Sequence, residues 1–227
     1  MVNSFFKIIE KMTYGEISND IDESNYINFK KEEAKAWGKK SYSKWANEYM
    51  ENMEETKKIV EKFSTSYAAI EMYCGYAHRD INSYLRFKQK ETIYLDLVSV
   101  LSVIICMAPR IPDNIVVYRA VSEKFIYELI DNNKSLGIPT QEKGFMSTSL
   151  TMDMFNKSKF NDSNEFKNTK NILKIYVNSG AKGIYVEDIS KRSELEIILP
   201  PNCFLKMIKK PYYENDKEIY ECKLIYF

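Results

Sequence analysis

The chain has 227 residues, 44% of them hydrophobic and 29% charged, which is the composition of an ordinary soluble globular protein. A formal net charge of +1 gives no basic field of the kind that nucleic-acid partners require, and the sequence has no acidic tail. The four cysteines form no CxxC pair and the chain has one histidine. The sequence therefore predicts neither a zinc site nor a disulfide framework.

Residues 1 to about 110 are predicted to be helical. A long segment rich in helix formers carries four aromatic residues spaced to share one face: Trp37, Tyr42, Trp45 and Tyr49. The apolar run Leu95–Pro109 contains Asp96 and is too short to span a bilayer, so we interpret it as a buried helix that includes Cys106 as a buried thiol. The N-terminus lacks the features of a signal peptide, and any export would need another route.

From residue 115 onward, short strand patterns alternate with turn-forming segments. The predicted strands are Ile115–Val121, Gly144–Leu150, Asn171–Val177, Glu194–Leu199 and Tyr220–Phe227. Helices followed by strands indicate an α+β fold rather than an alternating α/β fold. Because no linker or repeat interrupts the chain, we expect one domain over 1–227, with a helical lobe to about residue 110 and a β-rich core after it.

Two of the predicted strands carry polar side chains among apolar ones. Arg119 lies in the strand VVYRAV, where its guanidinium either reaches water from an edge strand or binds a phosphate bidentately. In the segment KGFMSTSL, Ser147 and Ser149 are predicted to face one side of a strand and Thr148 the other. Such hydroxyls form a solvated face or, between Phe145 and Leu150, a buried face with assigned partners.

A third segment holds two carboxylates at the mouth of an apolar run. Glu194 and Glu196 are predicted to open the last-but-one strand, with Leu195 between them. Because strand side chains alternate, the two glutamates should point to the same side. Two like charges placed side by side are costly unless a function requires them.

The order Arg, Ser-Thr-Ser and Glu-x-Glu along the chain resembles the ADP-ribosyltransferase toxins of that motif class, especially the enzymatic components of clostridial and bacillary binary toxins that modify actin. The similarity includes the upstream segments AKAWGKKSYSKWANE and GYAHRDINSYLR and covers roughly residues 30–227. It implies a helical N-terminal lobe and two small packed β-sheets that form an NAD cleft. NAD would be the substrate, and no metal would be needed.

The resemblance assigns the reacting end of NAD to the Ser-Thr-Ser and Glu-x-Glu segments. Glu196 would be the catalytic glutamate that bonds the nicotinamide-ribose 2′-hydroxyl, and Ser147 would orient it. Thr148 and Ser149 would complete the strand that shapes the nicotinamide pocket. Glu194 would act on the acceptor.

The resemblance also assigns the contacts to the rest of NAD. Arg119 would hold the phosphates. Tyr73 and Asn82 match NAD-contacting positions, and Arg86 lies in the matched NSYLR segment. His78 stands where the family has a second tyrosine.

The chemistry agrees with a pair of carboxylates. Cleavage at the nicotinamide–ribose bond passes through an oxocarbenium-like transition state, which a carboxylate such as Glu196 stabilises. An arginine acceptor is protonated, and a second carboxylate can draw off its proton. The related class that modifies asparagine has Gln where this chain has Glu194, which favours arginine. The resemblance implies that Lys191 and Arg192 lie on the loop that reads the target, where the actin-modifying toxins commonly carry an aromatic residue at the Lys191 position.

Two alternatives stay open at this point. The first is another hydrolytic enzyme, either an NAD glycohydrolase or a sugar hydrolase that uses the carboxylate pair. The second is a non-catalytic docking module on the same fold, although Arg119, Ser147, Glu194 and Glu196 are all present. We expect a monomer that is secreted or delivered into a host cell, with a host protein such as actin as target. A translocation component is a candidate partner; nucleic acid and membrane are not.

Overall fold

The computed structural model describes residues 9–59, 69–88, 93–155, 170–190 and 192–226. Helices make up most of the first half of this part of the chain. The described part of α1 covers 9–14, and the further helices are α2 (Lys31–Ile59), α3 (Ala69–Met72), α4 (His78–Phe87), α5 (Ile93–Met107), α6 (Glu123–Asp131) and α7 (Glu187–Ser190). A π-helical turn over Tyr73–Ala77 joins α3 to α4 without a break. Such turns are rare inside helices and are often found at functional sites.

The second half is built from strands. In the described part of the chain these are β1 (Ile115–Val121), β2 (Thr140–Glu142), β3 (Met146–Ser149), β4 (Asn171–Val177), β5 (Ile184–Tyr185), β6 (Glu196–Leu199), β7 (Cys203–Met207), β8 (Tyr212–Glu214) and β9 (Lys217–Ile225). They connect in the order β2-β7-β9-β4-β1-β3-β6-β5, and β8 pairs with β9. β4 and β9 are parallel, while the other pairs are antiparallel.

The sheet consists of two parts that meet at a single residue pair. β1 and β3 are in register only at Tyr118 and Ser149, whereas β1 pairs with β4 along its whole length. The two parts share one apolar core, to which β3 and β6 contribute Met146 and Leu199 and β1 contributes Val117. The two packed sheets expected from the sequence are therefore joined where β1 pairs with β3 at Tyr118 and Ser149.

A second apolar core joins the helical layer to the smaller part of the sheet. Ile70 and Ile81 from the α3–α4 helix and Leu101 from α5 pack with Phe145 and Ile198. All five are fully buried, with 0% relative exposure. Tyr73 and Cys74 of the π-helical turn belong to the same core, so the turn packs next to β3 and β6, which carry the predicted catalytic segments.

The observed elements can be compared with those expected from the sequence. β1 and β4 have the predicted bounds, and the rings of the predicted aromatic face on α2 contact each other in series. The helix predicted at Leu95–Pro109 is present as α5, but the expected burial of the helix and of Cys106 is wrong, because Val103 and Met107 are 56% and 78% exposed and Cys106 is exposed. Within the described ranges, no helix has the length and apolar character needed to cross a membrane.

Candidate active site

Glu196 is a buried carboxylate at the first position of β6. It lies opposite Ser149 of β3 and is 6% exposed. Burial raises the pKa of Glu196 above its ordinary value, while hydrogen bonds from Ser147 and Cys74 partly offset that effect. Ser147 thus acts on the Glu196 carboxylate in the direction that favours its ionised form. Cys74, which sequence reasoning did not single out, is a second partner and follows Tyr73 in the π-helical turn.

The other two hydroxyls of the Ser-Thr-Ser segment bind backbone. Thr148 Oγ1 donates to the Ile197 carbonyl at 2.8 Å, and Ser149 Oγ donates to the Glu194 carbonyl at 3.1 Å. Both residues are buried, at 4% and 6% exposure. The alternative of a solvated hydroxyl face is therefore wrong for these two positions. Their hydrogen bonds fix the strand that carries Ser147 against the segment that carries the two glutamates.

Glu194 lies outside the strand, so the predicted start of this strand at Glu194 is wrong. β6 begins at Glu196 instead of Glu194, because Leu195 has a left-handed backbone with φ of +50°. Leu195 itself is 1% exposed, and its carbonyl accepts a hydrogen bond from Leu150 N–H at 3.0 Å. The Glu194 side chain is 38% exposed, with Oε1 3.8 Å from Arg192 Nη1. One glutamate is thus buried and the other is accessible.

Tyr73 and Asn82 meet at the backbone of Phe145, just before β3. Asn82 Nδ2 donates to the Phe145 carbonyl at 3.2 Å, and Asn82 Oδ1 accepts from the Phe145 N–H at 2.8 Å. The Tyr73 hydroxyl donates to the same carbonyl at 3.2 Å and lies 3.4 Å from Ser147 Oγ. Burial raises the pKa of Tyr73 to about 12, so its hydroxyl stays protonated at neutral pH. The helix and the Ser-Thr-Ser strand are thereby held in one hydrogen-bonded unit.

Gly144 allows this close approach. A Cβ at Gly144 would lie 2.7 Å from Asn82 Oδ1 and 3.0 Å from Asn82 Cγ. Both distances are shorter than ordinary van der Waals contact. A side chain at position 144 would therefore displace the Asn82 amide from Phe145.

Arg119 lies in the interior of the sheet, since β1 runs between β4 and β3. Its side chain is 15% exposed, and Nη1 donates to the Phe145 carbonyl at 3.3 Å. The alternative of an edge-strand arginine that extends into water is therefore wrong. The Phe145 carbonyl accepts hydrogen bonds from Tyr73, Asn82 and Arg119, and so connects three of the residues that the resemblance assigned to NAD.

Glu142 is a member of this site that sequence reasoning missed. It lies on β2, is 3% exposed, and accepts hydrogen bonds from Arg86 Nε and Nη2, both at 2.9 Å. Arg119 Nη2 lies 3.8 Å from its Oε2. Burial opposes ionisation of Glu142, but Arg119 and Arg86 hold its pKa below the ordinary value. The three residues come from three separate elements, so no local spacing in the sequence could have indicated the cluster.

An open cleft of about 440 Å³ begins at Arg119 and Glu142. Four basic residues and two acidic ones line it: Arg86, Arg119, Lys124, Lys143, Glu128 and Glu142. Phe87, which is 61% exposed, also lines it, and the Lys124 ammonium lies 5.6 Å from the centre of its ring. The cleft thus combines an excess of positive charge with an accessible aromatic surface, which suits an anionic ligand that carries a ring.

The remaining predicted site residues lie on the segment before Glu194. Arg192 is exposed, and Lys191 lies outside the described residues.

His78 begins α4, and its ring packs edge-on against Tyr73 with centroids 6.3 Å apart. Among the residues that the structure describes, no group of three or more His, Cys, Asp or Glu is placed to hold a metal ion.

A family model described as ADP-ribosyltransferase exoenzyme matches residues 34–220, which is most of the chain. The chain therefore belongs to the ADP-ribosyltransferase exoenzyme family, a family of bacterial toxin enzymes that use NAD as substrate. The family, the α+β fold and the use of NAD were all predicted from the sequence and are confirmed. A comparison with curated proteins gives no match.

Three solved structures illustrate the similarity of fold. BECa, an ADP-ribosylating toxin of a binary enterotoxin of C. perfringens, superposes with a TM-score of 0.64 at 21% identity over 85% of this chain and 48% of BECa. C2-I, the enzymatic component of the C2 toxin of Clostridium botulinum, gives 0.64 at 19% identity over 88% of this chain and 50% of C2-I. The C3 exoenzyme of Clostridium limosum gives 0.58 at 22% identity over 88% of this chain and 98% of the exoenzyme.

These matches differ in how much of each relative is covered. The chain spans about half the length of BECa and of C2-I, and nearly all of the C3 exoenzyme. Because binary-toxin components and a C3 exoenzyme match with similar scores, the fold by itself does not identify the acceptor residue or the target protein.

Proposed function

We propose that the chain transfers ADP-ribose from NAD to an arginine side chain of a target protein and releases nicotinamide. The proposal rests on one observation above all: a buried carboxylate, Glu196, pairs with the Ser-Thr-Ser strand at Ser149, and Ser147 on that strand is connected through Tyr73 and the Phe145 carbonyl to Arg119. It treats residues 1–227 as one domain, with the helical lobe packed on the β-rich core.

NAD would lie across this hydrogen-bonded unit. The diphosphate would bind Arg119, whose guanidinium fork matches phosphate oxygens. The adenosine end would enter the 440 Å³ cleft, where Phe87 offers an exposed aromatic face. The nicotinamide ribose would then reach Glu196, with Ser147 holding the carboxylate in place and Tyr73 and Asn82 closing the pocket.

The reaction would proceed by breaking the bond between the ribose C1′ and the nicotinamide nitrogen. As nicotinamide leaves with the bonding electron pair, positive charge develops on the ribose, and the ionised Glu196 stabilises it only in the transition state. Burial disfavours ionisation of Glu196, and the Ser147 hydrogen bond favours it. Ser147 would therefore both orient the carboxylate and favour its ionised form.

Glu194 would serve the acceptor. Its side chain is 38% exposed, so an incoming arginine can reach it without opening the core. The carboxylate would hold the guanidinium and take its proton while a guanidinium nitrogen forms the new bond to C1′. Arg192, 3.8 Å from Glu194, together with Lys191 would contact the surface of the target protein.

NAD hydrolysis is a second candidate activity on the same site. Glu196 would stabilise the cleavage of NAD in the same way with water as the acceptor, and water can reach the acceptor side because the Glu194 side chain is 38% exposed. A glycohydrolase would release the same nicotinamide but would attach ADP-ribose to no protein.

The biological setting is part of the proposal. BECa belongs to a binary enterotoxin and C2-I is the enzymatic component of a toxin, so a host protein as target and delivery into a host cell are consistent with these matches. We propose a secreted or host-delivered monomer, with actin as the first target to test and a translocation component as partner.

The test uses NAD labelled in the adenylate part. The protein is incubated with a host-cell lysate, with purified actin, and with agmatine as a small arginine analogue, and the labelled products are identified by mass spectrometry. Label on an arginine supports the proposal. Nicotinamide release without label on protein or agmatine would make the chain a glycohydrolase, and no nicotinamide release would leave the docking module as the remaining function.

A further inference from the structure

The two arginines at the start of the cleft share a single buried carboxylate. Glu142 Oε1 accepts from Arg86 Nε at 2.9 Å and from the Gly144 N–H at 2.8 Å. Glu142 Oε2 accepts from Arg86 Nη2 at 2.9 Å and lies 3.8 Å from Arg119 Nη2. The carboxylate is therefore fixed by three hydrogen bonds, from a helix and from its own loop, before it meets Arg119.

The two arginines are held in different ways. Arg86 uses Nε and Nη2 in a bidentate pair with Glu142, so this edge of its guanidinium group is already occupied. Arg119 is at 3.8 Å, beyond hydrogen-bonding distance, and its one hydrogen bond to the described part of the chain goes to the Phe145 carbonyl. Arg119 thus keeps donors for a ligand, whereas Arg86 is committed to Glu142.

The net charge of Arg86, Arg119 and Glu142 also favours an anionic ligand on Arg119. Two guanidinium groups and one carboxylate leave a net charge of one positive unit in a nearly buried position, since the Arg119 and Glu142 side chains are 15% and 4% exposed. Without the carboxylate, two guanidinium groups would repel each other at the start of the cleft. Glu142 neutralises the charge of Arg86 and attracts the guanidinium group of Arg119 to a fixed position.

We propose that Glu142 is a positioning residue for NAD: by locking Arg86 and attracting Arg119, it holds the Arg119 guanidinium ready for the diphosphate. This inference rests on the proposed function, and specifically on Arg119 as the phosphate ligand. The diphosphate would replace the weak 3.8 Å contact of Arg119 and leave the Arg86 pair intact. Glu142 itself touches neither the phosphates nor the reacting ribose.

The variant Glu142→Gln distinguishes an effect on the position of Arg119 from an effect on the net charge of the phosphate site. The substitution adds one positive unit to the phosphate site, so electrostatic attraction alone would tighten NAD binding. Loss of the fixed Arg119 geometry would weaken binding, because an arginine that must be ordered on binding loses affinity. We expect the dissociation constant for NAD, measured by calorimetry, to rise about tenfold, which is about 1.4 kcal/mol, with kcat changed much less than KM.

A double-mutant cycle with Arg119→Ala gives the decisive readout. If Glu142 acts through Arg119, Glu142→Gln should change NAD affinity by less than about twofold once Arg119 is absent. A merely structural role would weaken binding equally in both backgrounds. Should Glu142→Gln fail to fold, Glu142→Asp carries the same test, because the shorter side chain keeps the charge but cannot hold Arg86 and the Gly144 N–H together.

Glu221 supplies a matched control. It is also a buried carboxylate, 1% exposed, with hydrogen bonds from Tyr176 at 2.7 Å and Tyr212 at 2.8 Å, and it lies outside the cleft lining. Glu221→Gln should lower the melting temperature without changing NAD affinity. Tighter or unchanged NAD binding in Glu142→Gln, or an additive cycle, would overturn the positioning role alone. Absence of NAD binding by the wild-type chain would overturn the proposed function together with it.

Discussion

Glu194 and Glu196 lie on either side of one left-handed residue, Leu195, and this backbone places one carboxylate within the core and the other at the surface. A regular strand would have put both on the same face. Instead Glu196 is 6% exposed, while the Glu194 side chain is 38% exposed. The two glutamates are therefore suited to different partners, a bound ribose and an incoming acceptor.

The first prediction separates these two roles. Glu194→Gln should reduce transfer to an arginine acceptor by at least about 10²-fold, which is the usual scale of lost acid–base catalysis, while most NAD hydrolysis remains. Hydrolysis uses water as the acceptor, so it does not need Glu194 to hold a guanidinium group. The contact to the ribose of NAD is made by Glu196 and is unchanged in this variant. Hydrolysis and agmatine modification are measured on the same preparation.

Arg192→Glu is the matched control for Glu194→Gln, since the two side chains lie 3.8 Å apart and both are accessible. Charge reversal at Arg192 should impair modification of a protein target but leave agmatine modification largely unchanged, because only a protein offers a surface to read. If Glu194→Gln lowers hydrolysis as severely as transfer, Glu194 is not specific to the acceptor.

The second prediction concerns catalysis by Glu196. Glu196→Gln should lower both hydrolysis and transfer by about 10²–10³-fold, because a neutral amide cannot stabilise the oxocarbenium charge. NAD affinity should stay within a few-fold of wild type, and calorimetry checks this independently of turnover. Near-native hydrolysis would remove Glu196 from the catalytic role.

The third prediction concerns stability of the same variant. The pKa of Glu196 is raised by burial, so the ionised form costs stability once the pH exceeds the ordinary value of 4.5, and the full cost applies above the raised pKa. Glu196→Gln should therefore raise the melting temperature at neutral pH by a few degrees, on the scale of about 1 kcal/mol. The gain should vanish below about pH 4.5, where Glu196 is protonated in the folded and unfolded states alike. A melting temperature equal to wild type at neutral pH would contradict the burial cost.

The fourth prediction tests Arg119 as the phosphate ligand. Arg119→Ala should raise the dissociation constant for NAD by about 10- to 100-fold, the scale of a lost charge-assisted hydrogen bond. Lys should restore only part of the affinity, because an ammonium group lacks the guanidinium fork. Calorimetry with NAD and with nicotinamide mononucleotide compares ligands with two phosphates and one. Unchanged NAD affinity in Arg119→Ala would refute the assignment.

The fifth prediction concerns the close contact between Gly144 and Asn82. Gly144→Ala should cost about 1–3 kcal/mol of folding stability and weaken NAD binding, because the new Cβ would lie 2.7 Å from Asn82 Oδ1. Gly75→Ala is the control, since a Cβ there would meet nothing within 4 Å. It should be neutral or stabilising, because alanine favours helix over glycine. Equal melting temperatures for the two variants would show that the loop moves to accept the side chain.

The sequence by itself determined the α+β order of elements, the bounds of β1 and β4, and the polar residues worth following. These follow from local rules: apolar runs of Val and Ile specify buried strands, and their length is limited by turn-forming residues. The same rules missed β2, β5, β7 and β8. For β2, β5 and β8, which have two or three residues, so short a segment carries too little periodicity.

Tertiary structure alone decided how the candidate residues are related. Arg119 proved to be interior because β3 and β4 flank β1, and Glu142 entered the site because the fold brings β2 to Arg86 on α4. The division between Glu194 and Glu196 follows from a left-handed backbone at Leu195, where the buried packing of the leucine side chain and the hydrogen bond from Leu150 N–H to its carbonyl compensate the strain. Such non-local contacts leave no spacing in the sequence, because the chain specifies them through packing of distant segments.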